Sequence, residues 1–112
     1  NKRWHPASVH MVTWDSQFQD LKNQFVVRSR ERMQSIESLL NELRERPAEE
    51  ALVKQLMVHF HWLAGSGGTY GFAEVTQWGT YGEEFCDYLL KLQAAVSPEN
   101  HERLLLALRS IE

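Results

Sequence analysis

"ALVKQLMVHFHWLAGSGGTYGF", residues 51–72, decides how the chain folds. Leu52, Leu56, Phe60, Leu63 and Gly67 recur at steps of three and four, the spacing that lines up side chains on one face of an α-helix. At 100° per residue, with Leu52 as zero, these five positions cluster around a buried direction near about 50°. His59 falls at about −20°, on the edge of that face. His61 falls at about 180°, on the side that meets solvent. Gly71 supplies the left-handed residue that closes such a helix.

Working outward, the same periodicity recurs on both sides. Phe18, Leu21, Phe25, Met33, Ile36, Leu40 and Leu43 predict a first helix from about residue 14 to 46, with Thr13 or Asp15 as its cap. Its length of about 48 Å exceeds that of its neighbours, which predicts a kink or a separate short helix ending near Asn23. Pro47 fits the first turn of a second helix over 48–70, with the acids of "AEE" at the positive end of its dipole. A third helix over 73–95 carries Val75, Trp78, Gly82, Phe85, Leu89, Leu92 and Val96 in a seven-residue repeat. Ser97-Pro98-Glu99 starts a fourth, with Leu104, Leu105, Leu108 and Ile111 as its apolar stripe. No stretch alternates as a half-buried strand does. Four amphipathic helices on short connections predict an all-α, antiparallel up-down-up-down four-helix bundle over 14–112, preceded by an N-terminal extension over 1–13.

Composition narrows the function. The chain has 112 residues, a net charge of −3 and 24% charged residues, a balance that gives no electrostatic reason to expect nucleic acid. One cysteine, Cys86, cannot form an internal disulfide and reads as a small apolar residue in a reducing, cytoplasmic setting. No apolar run suits a signal peptide or a membrane span, so membrane insertion is not expected. Trp78 reads as core and Trp14 as an anchor of the first helix. Trp62 points away from the core and is expected beneath the N-terminal segment that carries Trp4, the other reading being an exposed contact residue.

The outward face of residues 59–72 asks for an explanation. Gly65 and Gly68 flank His61 at about 220° and 160°, and Ala64 sits at about 120°, so its neighbours toward the helix C-terminus are all very small. Each glycine inside a helix costs about 0.8–1 kcal/mol relative to alanine, a loss that makes sense if another macromolecule must bring its surface up to the ring. Gly67 faces inward and suits close helix packing. A phosphate-cradling loop needs a preceding strand and a Gly-Lys-Ser/Thr ending, both missing from "GSGGTYG". His59 and His61 are about 200° apart and cannot share a metal ion, Ser66 has no recognisable base, and no cofactor motif is present. His59 reads as a boundary histidine with a satisfied hydrogen bond, and His5, His10 and His101 belong to no constellation.

"HWLAGSGGTYGF" resembles the signature of histidine-containing phosphotransfer (HPt) domains of bacterial multistep phosphorelays, through His61, Leu63, Gly65, Ser66, Gly68 and Gly71. That resemblance implies a phosphoryl carrier of two-component signalling rather than an enzyme. His61 would take a phosphoryl group from an aspartyl phosphate of a receiver domain and pass it to, or back to, a receiver. It implies a receiver and a hybrid sensor histidine kinase as partners, with Mg²⁺ and the catalytic groups on the receiver. Many members carry lysine three residues after the histidine, where this chain has Ala64; Lys54, two turns before His61, is a candidate substitute charge. The family often places a carboxylate or carboxamide on the following helix against the imidazole. Hairpin geometry offers Glu83 and Glu84 without choosing between them, and the spacing of the chemotaxis-kinase type favours Glu83. The alternative from another class is a helical interaction or dimerisation module of a signalling protein whose histidine is never phosphorylated.

Overall fold

The computed structural model describes residues 6–112, with side chains from Trp14 onward, so Trp4, His5 and His10 lie outside the described residues or side chains. Four helices follow in order: α1 (Pro6–Glu45), α2 (Glu50–Thr69), α3 (Ala73–Leu92) and α4 (Pro98–Ile111). There is no strand among the described residues.

α1 is one continuous helix of 40 residues, without the expected kink or separate first segment. Proline stands only at its first residue and beyond its end, and it contains no glycine, so nothing breaks the ladder of hydrogen bonds. Starting at Pro6, it leaves no helix start for Thr13 or Asp15 to cap. Pro47 sits in the connection rather than in the first turn of α2; its carbonyl accepts from Val96 N at 2.8 Å, tying the first connection to the third. Glu49, extended at φ −78°, takes the N-cap position, and Glu50 still meets the helix dipole.

α2 closes as the sequence predicts. Gly71 adopts φ +82°, Phe72 N donates to Gly67 O at 2.9 Å and Gly71 N to Gly68 O at 3.4 Å, the paired bonds of a Schellman motif. α3 ends three residues earlier than expected because Gln93 turns left-handed at φ 53°. α4 starts on Ser97, whose Oγ accepts from Asn100 N at 3.1 Å, with Pro98 at the first helical position.

α1 packs on α2 and α4, and α3 on the same two, so that each helix has two adjacent neighbours, as a four-helix bundle with short connections requires. The molecule measures 71 × 20 × 20 Å. A 40-residue helix spans about 60 Å, so α1 sets the long dimension. Its Phe18 and Phe25 rings approach Tyr70 at the α2–α3 turn, at 5.9 and 5.2 Å between centroids. Roughly three turns of α1 precede Phe18.

The core joins Ile36, Leu40 and Leu43 to Leu52, Leu56, Phe60 and Leu63 of α2, and to Leu104 and Leu108 of α4. Phe18 and Leu21, expected in the first stripe, are half exposed at 48% each. α3 corrects the seven-residue repeat: its buried residues are Gly79, Gly82, Cys86 and Leu89. Val75, Trp78 and Phe85 are only partly covered, and Leu92 is exposed. No helix among the described residues is long and apolar enough to cross a membrane.

Candidate functional site

With Phe60 and Leu63 fully buried, the turn of α2 carries His61 to the opposite surface, where its side chain is 73% exposed. A carboxylate from α3 reaches it. His61 Nδ1–H donates to Glu83 Oε2 at 2.7 Å, the length of a charge-assisted bond. Glu84, the other acid that hairpin geometry offered, is exposed.

Two glycines of α3 make that reach possible. A Cβ at Gly79 would lie 2.7 Å from Ala64 N, and one at Gly82 would enter the Phe60 ring. The backbones of α2 and α3 therefore sit closer than side chains would permit. Gly67 is similarly confined, its added Cβ meeting Thr76 Oγ1 at 3.0 Å. Gly71 is required by its positive φ. That leaves two glycines the chain's own packing does not require. A Cβ at Gly65 would meet nothing within 4 Å, and one at Gly68 would make ordinary contact with Thr76 Oγ1 at 3.5 Å. Both flank His61 on the outer surface of α2, with half-buried Ala64 beside Gly68 toward the core.

Lys54 does not join this group. Its Nζ pairs with Glu50 Oε1 at 3.4 Å, one turn back toward the start of α2. Cys86 lies beneath Glu83 and is fully buried; burial, followed by the charge of Glu83, pushes its thiol up to about 12, so it stays a neutral, inert packing residue.

His59 occupies a different groove, between α1 and α2. Arg32 Nη1 donates to its Nδ1 at 3.2 Å, and burial together with the Arg32 charge holds the imidazole below its usual range. Arg32 also lies 4.9 Å over the ring of Trp62, which stacks on Phe25 at 5.6 Å. Among the described residues, α1 covers Trp62 through Phe25 and Arg32, while the segment with Trp4 lies outside them. Sequence reasoning passed over Arg32 here, although it shares the inward stripe of the first helix with Phe25 and Ile36. His101, read from the sequence as belonging to no constellation, is buried and its Nε2–H donates to Leu40 O at 2.8 Å, bolting α4 to α1.

The exposed ring, its carboxylate partner and the cleared surface together suit attack by, or on, a group carried by another macromolecule. Comparison with known proteins agrees in kind: the family model for the Hpt domain matches residues 20–112. No curated protein and no solved structure matches the chain.

Proposed function

The chain belongs to the Hpt domain family, whose role is phosphotransfer in phosphorelays with receiver domains as partners, and on that premise we propose that His61 is its phosphoryl carrier. One observation supports this reading above the others: an imidazole 73% exposed, bonded through Nδ1 to Glu83 at 2.7 Å. That bond selects the tautomer in which Nε2 keeps its lone pair and points away from the carboxylate. Nε2 attacks the phosphorus of an aspartyl phosphate on the receiver; the P–N bond forms, the P–O bond breaks, and the aspartate carboxylate leaves. Glu83 steadies the positive charge that develops on the ring as the P–N bond forms. Gly65, Gly68 and Ala64 leave room for the receiver's loops to approach in line. The receiver supplies Mg²⁺ and most of the transition-state charge neutralisation, so the chain acts as a carrier and not as a catalyst. A hybrid sensor kinase upstream and the bacterial cytoplasm are the setting such a relay implies.

The test is uptake of label from a receiver charged with radioactive acetyl phosphate. The wild-type chain acquires acid-labile label, and His61→Gln acquires none while keeping its helical circular dichroism. Equal labelling of the two would reject His61 as the carrier and leave the chain a helical interaction module.

A further inference from the structure

The two helices that build the His61 site, α2 and α3, carry little positive charge. α2 and α3 together contain two cationic side chains besides histidine, Lys54 and Lys91. Lys54 lies seven residues before His61, about 10 Å along the helix axis. Lys91 lies eight residues beyond Glu83, about 12 Å along its own helix. Each is already held by a carboxylate one turn away, Lys54 by Glu50 at 3.4 Å and Lys91 by Asp87 at 2.9 Å. At such separations the field of an already paired charge is largely screened at His61, the Debye length being about 8 Å at physiological ionic strength. The charge that touches the ring is acidic, the Glu83 carboxylate. The positions one helical turn from His61 are Met57, Val58, Ala64 and Gly65, none of which carries charge.

We propose that this chain holds its phosphoryl group with no free cationic side chain of α2 or α3 beside the ring, so that the phosphohistidine is a short-lived, strongly donating intermediate. The inference rests on His61 being the carrier. A dianionic phosphoryl group on Nε2 and the Glu83 carboxylate flank one imidazolium, whose single charge cannot balance both, and neither lysine of α2 or α3 is free to make up the difference. Charge balance arrives only with a partner that brings cations to the interface. On outward transfer the P–Nε2 bond breaks, its electron pair returns to Nε2, and a P–O bond forms to the partner's aspartate, while Nδ1 keeps its proton on Glu83. Relief of the repulsion favours that direction.

The experiment loads the isolated chain with phosphoramidate, a small donor that needs no docking surface, and follows loss of acid-labile phosphate at neutral pH. Val58→Lys and Ala64→Lys each place an ammonium one turn from His61, and Val58→Met and Ala64→Met supply the same bulk without charge. Val58 is 61% exposed, so its variants leave the core untouched. Coulomb's law in water at one helical turn, reduced by screening, predicts about a three- to tenfold longer lifetime for the lysine variants than for the methionine ones. A further readout is the share of label kept by the chain at equilibrium with a receiver, which rises in the lysine variants. Lysine variants with the lifetimes of their methionine counterparts would overturn the inference. A wild-type chain that takes no label, from phosphoramidate or from a charged receiver, would instead remove its premise, the carrier role of His61.

Discussion

At the scale of the residue, two histidines two positions apart live in opposite environments. His61 stands in solvent against a carboxylate; His59 lies in a groove against a guanidinium. They should therefore respond differently to the same substitution. His59→Gln is expected to leave phosphoryl uptake intact, because glutamine can still accept from Arg32; loss of uptake would mean that the groove communicates with the site. The lowered pKa of His59 also has a sign that can be checked. Between the folded value and about 6.5 the unfolded chain binds the extra proton, so stability falls as pH drops through that window. Thermal melts from pH 7.5 to 5.5 should show a shallower decline for His59→Gln than for wild type. Glu83→Ala should slow transfer without abolishing it, by about ten- to a hundredfold if fixing the tautomer and steadying the ring charge are its roles. An unchanged rate would make Glu83 a surface residue that merely touches the ring.

At the scale of the element, glycines that look alike in sequence separate by what surrounds them. Gly79→Ala drives a methyl group into the backbone of α2 at Ala64 and should destabilise the fold by about 1–3 kcal/mol. Gly65→Ala meets open space and should stabilise it by about 0.8–1 kcal/mol through helix propensity alone. Urea denaturation measures both, and changes of the same sign would undo the division drawn here. Gly65→Leu should fold normally yet transfer poorly to a receiver, since its bulk faces only the approaching partner. How legible these elements are from sequence depends on where the apolar weight lies. In α2 the large side chains carry the buried face, so the phase of Leu52, Leu56, Phe60 and Leu63 placed both histidines correctly. In α3 the large aromatics lie on the flank, where Trp78, Tyr81, Phe85 and Tyr88 run as a ladder with centroids 5.5–5.9 Å apart. The buried face there belongs to two glycines, a cysteine and Leu89, residues that a hydrophobic pattern mostly underweights. Glu83 shows the same limit: hairpin geometry brought two acids to the right level, the family resemblance favoured Glu83, and in the structure it is Glu83 that bonds the ring.

At the scale of the whole molecule, the bundle is held from both ends. Val96 N on Pro47 O closes one end, and the rings of Phe25, Trp62, Tyr70 and Phe72 close the other. His101 joins α4 to α1 between buried leucines. His101→Ala should lower stability by about 1–3 kcal/mol, through the lost buried bond, with labelling of His61 unchanged; altered labelling would show that the bundle's interior tunes the site. The length of α1 was the feature least readable in the sequence. Matching each helix to its neighbours suggested a break, but the chain between Pro6 and Pro47 carries no residue that would make one. Architecture, hairpin and exposed histidine all follow from periodicity and from where proline and glycine stand.

The carrier role of His61 is tested most directly by locating the phosphoryl group itself. After reaction with a charged receiver, phosphorus NMR and peptide mapping under alkaline conditions should find it on Nε2 of His61 and nowhere else, with none on His61→Gln. Phosphate on another residue, or none on the wild-type chain, would contradict the account.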